Sequence, residues 1–313
     1  VNDNRPIAVA LMGPTASGKT ALAVELVKRF PMQVVSADAA QVYRGMNIGT
    51  AKPTAEELAI TPHRLIDIRD PADTYSAADF RADALKEMQE ITDAGDVPLV
   101  TGGSMFYFDV LRKGLPEMPG ADEAVRQSID DEAKEKGWAK LHADLALIDP
   151  TSAERIEPGD AQRIQRALEV YRLSGRTVTE LSSMPARPSP YRVVALAIAP
   201  SNRGVLHDRI ATRFTQMLDQ GLVEEVRELI DSGRLEASMP AWRTVGYRQV
   251  ADHVLGTISE QQMIEQSVAA TRQLAKRQLT WLRHQTGTVW CDSLDGALME
   301  GACAYLTSKF RFF

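Results

Sequence analysis

The sequence predicts an α/β protein: a parallel sheet flanked by helices, built around a phosphate-binding loop, with a helical domain inserted between two of the strands. Three observations carry that expectation. The first is Gly13-Pro14-Thr15-Ala16-Ser17-Gly18-Lys19-Thr20, a complete Walker A pattern. The second is the alternation of strand-length apolar runs with helical patterns through residues 1–114. The third is a wholly helical block over 121–184, after which the apolar run Tyr191–Ile198 returns the chain to the sheet.

The elements follow in order. Ile7–Met12 is an apolar run of strand length and enters the glycine-rich loop. Ala21–Phe30 reads as the following helix, with Leu22, Leu26 and Phe30 at helical spacing. Val34-Val35-Ser36-Ala37 is a second strand, closed by Asp38. Ser76–Ala94 reads as a helix with a cap at Ser76 and Gly95 just past its end. Val97–Val100 is the next strand and runs into Thr101-Gly102-Gly103-Ser104. The stretch from Gly114 to Gly120 marks a boundary. Helices are expected at Asp122–Lys136, Trp138–Ile148 and Asp160–Leu173, and Gly175 with Pro185–Pro190 closes that block. Residues 201–284 are helical again, interrupted at Asp231-Ser232-Gly233 and Met239-Pro240. The expected division is a core of 1–114 plus 191–313 and a helical insertion of 115–190.

The loop dictates chemistry. Gly13 and Gly18 let the backbone turn successive N–H groups toward an anion, and the helix N-terminus adds partial positive charge. Lys19 supplies a full charge, and the Thr20 hydroxyl is placed for Mg²⁺. A strand ending in an acid that organises Mg²⁺ and water normally accompanies such a loop. Here Val97–Val100 ends without a carboxylate. Asp38, at the end of the second strand, is the acid expected to face the same crevice, and Asp67 is a third carboxylate of open orientation. The chain is therefore expected to hold a diphosphate or triphosphate without necessarily spending ATP.

Composition narrows the class. The 313 residues carry 36 Lys and Arg against 42 Asp and Glu, a net charge of −6, which argues weakly against nucleic acid. The distribution argues for it. Arg272, Lys276 and Arg283 lie near one helical face, joined by Arg277; Arg243 and Arg248 form a second acid-free group, and Arg163, Arg166, Arg172 and Arg176 a third. Solvated helix faces are the other reading of the same charges. Cys291 and Cys303 fit no zinc or redox spacing and are expected to be reduced. No apolar stretch reaches membrane-spanning length and no secretion signal is visible, so a cytoplasmic protein is expected.

Several segments together resemble the bacterial-type tRNA dimethylallyltransferases, also called tRNA isopentenyltransferases. They are Gly13–Thr20; Ser36-Ala37-Asp38 through Gln41–Pro53; His63–Asp67 with Tyr75–Phe80; Gly102-Gly103-Ser104; Asp160–Val170; Arg243–Arg248; and Arg272–Arg283. The resemblance implies a P-loop NTPase-like fold and transfer of a dimethylallyl group from dimethylallyl diphosphate to N6 of adenosine 37 in tRNA. Diphosphate leaves, with Mg²⁺ present. It implies Gly13, Pro14, Thr15, Ala16, Ser17, Gly18, Lys19 and Thr20 as the diphosphate cradle, with Thr20 toward the metal, and Asp38, Ser104 and Lys19 as the catalytic set. Ser104 stands at the family's Thr position, and its hydroxyl is expected to bond a phosphate oxygen or the nucleophile.

For tRNA the resemblance implies Asp38, Ala39, Ala40, Gln41, Ser104 and, more loosely, Arg126. It adds Gln162, Arg163, Ile164, Gln165 and Arg166, then Arg243, Thr244, Val245, Gly246, Tyr247 and Arg248. Last come Lys276, Arg277, Gln278, Leu279, Thr280, Trp281, Leu282 and Arg283. Tyr247 and Trp281 are either stacking surfaces or core residues, and Ile164 reads better as core. Ala39 departs from the family's usual Ser. The insertion is expected to contact the anticodon arm, and a monomer is expected. Two alternatives stay open on the sequence: a prenyltransferase for free adenine nucleotide, and a P-loop kinase of a small molecule.

Overall fold

The computed structural model describes residues 3–310. The sheet is built on β1 (Ile7–Met12), flanked by β4 (Val97–Gly102) and β5 (Arg192–Ala199). Beyond β4 lie β2 (Met32–Ser36) and the two-residue β3 (His63–Arg64); beyond β5 lies β6 (Thr288–Asp292). All pairings are parallel, in the order β3-β2-β4-β1-β5-β6. The chain between β4 and β5 leaves the sheet for a run of helices and returns on the other side of β1.

Alternation along β1 divides the core into two layers. Ala8, Ala10 and Met12 face one side with α3 (Ala77–Asp93) and α4 (Met105–Lys113), through Phe80, Met88, Ile91, Phe108 and Leu111. Val9 and Leu11 face the other with Leu22 and Leu26 of α1 (Lys19–Val27). A short helix, α2 (Ala55–Ile60), precedes β3.

The chain divides into two compact units, one formed by residues up to Arg112 together with those from Ser189 onward, the other by Lys113–Pro188. The second unit holds α5 (Glu123–Lys136), α6 (Trp138–Ile148), α7 (Pro150–Arg155), α8 (Ala161–Ser174) and α9 (Val178–Ser182). Its own core joins Ile129, Leu141, Leu145, Ile164 and Leu168. The helices α7 and α9 span only five or six residues, too few to display the 3.6 period from which helices are read.

After β5 the first unit adds α10 (Arg203–Asp219), α11 (Leu222–Asp231), α12 (Tyr247–Val254) and α13 (Glu260–Arg283). A final helix, α14 (Leu298–Lys309), places Leu306 in the layer that holds α1. Val42, Tyr43 and Met46 pack with Phe214, Leu222, Val226, Leu229, Tyr247, Val250 and Met263 in a third core. The Gln41–Pro53 segment is thereby fastened to the late helices.

Candidate active site

The loop after β1 meets α1 without a side-chain cap: Gly18 is the N-cap, with φ 96°. The helices α2, α3, α5, α8 and α13 carry a Ser, Thr or Asp cap on their first turn, whereas α1 shares the lack of a side-chain cap with α6, α11 and α14. Leaving the N–H groups of α1 unclaimed keeps them for an anion. Ala16 adds a left-handed turn with φ 61°, an unusual conformation for a residue with a Cβ. Lys19 Nζ donates to the carbonyls of Gly13 and Pro14, at 2.8 and 2.7 Å. Burial pulls its ammonium down to about 8, the Asp38 carboxylate acting in the opposite direction.

A cavity of about 180 Å³ opens in front of this loop. Thr15, Ala16, Lys19 and Thr20 line one side, and Ser36, Asp38, Ala40 and Gln41 another. Gly102 and Gly103 line it from the end of β4. Ile210, Phe214, Met217, Leu222 and Leu274 form an apolar wall. The lining thus combines groups suited to an anion with side chains suited to a hydrocarbon.

Asp38 leaves the end of β2 in a turn fixed by short bonds. Ala40 N–H donates to Asp38 Oδ1 at 2.9 Å. Ala39 N–H donates to Ser104 Oγ at 2.9 Å, and Ser104 N–H donates to the Ala37 carbonyl at 3.2 Å. Ser104 therefore spends an acceptor lone pair on the Asp38 turn and keeps its hydroxyl proton for another partner. The side chain of residue 39 lies at an exposed position, and Asp38 takes its orientation from the backbone rather than from a hydroxyl there. Asp67 is occupied elsewhere, paired with the Lys52 ammonium at 2.5 Å.

Arg213 was not legible in the sequence. It follows Leu206 and Ile210 on the buried face of α10 and lines the cavity. Burial lowers its guanidinium and the Asp38 carboxylate raises it, so Lys19, Arg213 and Asp38 share one electrostatic environment. An arginine three residues after Ile210 and one before Phe214, on a face otherwise apolar, was the available signal.

The candidate RNA residues divide sharply. Arg243, Arg248, Lys276, Arg277, Thr280 and Arg283 are exposed, while Thr244, Val245 and Gly246 line the cavity. Tyr247 and Leu282 are fully buried and Leu279 nearly so, which is the core alternative for Tyr247. Trp281 packs against the β1–α3–α4 core and donates its indole N–H to Asp109 at 3.1 Å. Gln278 is buried too: it accepts from Thr15 N–H at 2.9 Å and donates to the Gly103 carbonyl at 2.8 Å, bridging the phosphate loop to the end of β4. Gln41 accepts from the Ser36 hydroxyl at 3.2 Å and lies under the Thr50 and Ala51 carbonyls.

In the second unit, Gln162 and Arg163 are exposed and Ile164 is core. Gln165 donates to Asp130 at 2.7 Å. Arg126 and Arg166 both grip the fully buried Glu169, at 2.8 and 2.6 Å. Glu169 is lowered by these two arginines against its own burial. Among the described residues, no group of three or more His, Cys, Asp or Glu could hold a metal, and no helix is long and apolar enough to cross a membrane.

The sheet order and the loop after its first strand place the fold among the P-loop NTPase-like α/β proteins. Its particular branch follows from comparison with known proteins. A sequence model described as IPP transferase matches residues 41–285. The full-length tRNA isopentenylpyrophosphate transferase from Bacillus halodurans is 35% identical, with 98% of this chain and 97% of that one covered and a TM-score of 0.73. The tRNA delta(2)-isopentenylpyrophosphate transferase from Staphylococcus epidermidis is 30% identical over 98% of this chain and 100% of that one, with a TM-score of 0.70. A eukaryotic dimethylallyltransferase acting on tRNA shares the fold, with a TM-score of 0.81 at 22% identity, over 97% of this chain and 79% of that one. The chain belongs to the IPP transferase family, and it is a transferase.

Proposed function

We propose that the chain transfers a dimethylallyl group from dimethylallyl diphosphate to N6 of adenosine 37 in tRNA and releases diphosphate. The observation that supports this most directly is the cavity itself. Lys19, Arg213 and the uncapped start of α1 line it together with the apolar Ile210, Phe214, Met217, Leu222 and Leu274 and with the Asp38 carboxylate.

Each part has a task in that reaction. Adenine N6 is a weak nucleophile because its lone pair is delocalised into the ring. Asp38 accepts the N6 proton as the C–N bond forms, and the Ala40 N–H keeps its carboxylate aimed. The allylic C–O bond breaks with its electron pair going to the diphosphate. Lys19, Arg213 and the amides of the loop carry the growing negative charge. Lys19 must then exchange its Gly13 and Pro14 carbonyls for phosphate oxygens, and the incoming anion raises its pKa back toward the ordinary value. Mg²⁺ usually keeps several waters and substrate phosphate oxygens as ligands, and the Thr20 hydroxyl, which lines the cavity, would hold it there. Its contribution would be further charge neutralisation on the leaving group.

The acceptor base must leave its stack to enter a cavity of this size. Arg243, Arg248, Lys276, Arg277 and Arg283 of the first unit, with Gln162 and Arg163 of the second, offer exposed cations and amides for the RNA backbone and bases. The cytoplasmic location and monomeric state expected from the sequence belong to the same reading. Mass spectrometry of tRNA digests after incubation with dimethylallyl diphosphate and Mg²⁺ tests it. A prenylated adenosine in the anticodon loop is expected. Product on free adenine nucleotide but not on tRNA, or phosphate transfer from ATP to a metabolite, would overturn it.

A further inference from the structure

Two walls of the cavity come from distant parts of the chain. Gly49, Thr50, Ala51 and Pro53 form one, and Thr244, Val245 and Gly246 the other. Neither is a regular element on that side. Ala51 sits at φ 48°, a left-handed conformation that a residue with a Cβ adopts only when its surroundings hold it, and the second wall turns at Gly246, with φ 94°. The support converges on one side chain. Glu225, in the first turn of α11, accepts from Asn47 N–H at 2.9 Å, from Ile48 N–H at 2.8 Å and from Gly49 N–H at 3.4 Å. It also accepts from the Tyr247 hydroxyl, the residue immediately after the second wall. The Tyr247 ring lies directly under Gly49, where an added Cβ would come within 2.5 Å of it.

We infer that Glu225 and Tyr247 are positioning residues of the transfer reaction: one carboxylate holds both walls of the donor cavity in register, and thereby sets how the prenyl diphosphate is held. The inference rests on the proposed function for the identity of the donor. Three backbone N–H groups in succession form a nest for an anion, and here the protein supplies the anion itself. The phenol stays protonated, raised by its burial and by the Glu225 charge, and remains a donor. Glu225 is well suited because a carboxylate offers about four lone pairs and no donor. Glutamine would turn an N–H toward other N–H groups or toward the phenol. The far end of the first wall is tied separately, through Lys52 to the Tyr43 carbonyl, Asn47 Oδ1 and Asp67. Loss of Glu225 therefore loosens the cavity wall without releasing the whole segment.

The test separates donor from acceptor. Glu225→Gln is compared with wild type by steady-state kinetics with varied dimethylallyl diphosphate at saturating tRNA, by tRNA binding, and by pyrophosphate binding in calorimetry. The expected result is a donor KM raised about tenfold or more, as follows when contacts made equally in the ground and transition states are lost. Little change in kcat and none in tRNA affinity should accompany it. A variant that merely lowers the folded fraction would lower kcat and leave KM alone. Tyr247→Phe should raise donor KM by less, and the double variant should be no worse than Glu225→Gln, since both remove one shared network. If Glu225→Gln does not fold, Tyr247→Phe carries the test through its own smaller rise in donor KM. An unchanged donor KM and pyrophosphate affinity in a folded variant overturns the inference. Absence of prenylated tRNA with the wild-type chain overturns the proposed function instead, and the pyrophosphate measurement still decides the role of Glu225.

Discussion

Gly102 is the position where a single methyl group should reach the chemistry. It ends β4, and an added Cβ would lie 2.1 Å from the Ala37 carbonyl oxygen and 2.4 Å from its carbon. Both are backbone atoms, so no side chain can swing away. Restoring ordinary contact at 3.4 Å requires about 1.3 Å of separation between the ends of β2 and β4. That separation acts on the bonds that aim Asp38, from Ser104 N–H to the Ala37 carbonyl and from Ala39 N–H to Ser104 Oγ. Overpacking of this kind costs about 1–3 kcal/mol of stability. Displacement of a base by about 1 Å lowers turnover roughly 100-fold. Gly102→Ala should therefore remain folded by circular dichroism with a modestly lower Tm, and should lose about two orders of magnitude in single-turnover prenylation of tRNA. Its tRNA affinity should be unchanged. A folded Gly102→Ala protein with turnover within a few-fold of wild type would refute the claim that the β2–β4 clasp positions Asp38.

Three other outcomes follow from the site. Asp38→Asn keeps an oxygen for the Ala40 N–H but removes the proton acceptor, so turnover should fall by about 10²–10⁴ with tRNA binding intact; turnover near wild type would move the base elsewhere. The Lys19 ammonium lies near 8 in the free protein and an anion raises it, so pyrophosphate binding should take up a proton and weaken as pH rises through that value. Lys19→Arg keeps its charge there and should flatten the profile measured by calorimetry; a step that persists in this variant belongs to another group. Lys276→Ala and Arg283→Ala should each reduce the salt slope of tRNA binding by about 0.7–0.9 per lost phosphate contact, and an unchanged slope would return them to the solvated face.

Much of the fold could be read in advance because its central strands are buried on both faces. β1, β4 and β5 show continuous apolar runs, and the cap at Ser76 and the loop at Gly13–Thr20 mark helix starts unambiguously. The edges escaped. β3 has two residues, and β6 is a half-exposed edge strand with no alternation to betray it. Legibility of the site followed the same logic. Residues that act through local sequence, such as Lys19 and Asp38, were visible because a motif fixes their geometry. Residues that act across the chain were not. Gln278, which the family resemblance implies as an RNA contact, is buried on α13 and bonds to Thr15 and Gly103. Tyr247, open in the sequence between a stacking surface and a core residue, is core, and its ring lies under Gly49. Period and motif locate a residue on its own element; what packs against that face is tertiary information.

The carboxylate-free end of β4 has a structural counterpart. In a phosphoryl-transfer site that position organises metal and water at the γ-phosphoryl group. Here Thr101-Gly102-Gly103-Ser104 is committed instead to the turn that carries Asp38, through the Ala37 and Ala39 backbone, and to Gln278. The acid has in effect moved one strand over, to the end of β2, where it lines the same cavity as Ile210, Phe214, Met217, Leu222 and Leu274. An apolar wall contributes little to positioning a water or a sugar hydroxyl. It is well matched to an allylic carbon that gains positive character as its diphosphate departs, because water reaching that carbon would divert it to an alcohol. The same apolar side chains weigh against the kinase reading of the P-loop, because a prenyl group gains from contact with Ile210, Phe214, Met217, Leu222 and Leu274 whereas a polar acceptor does not.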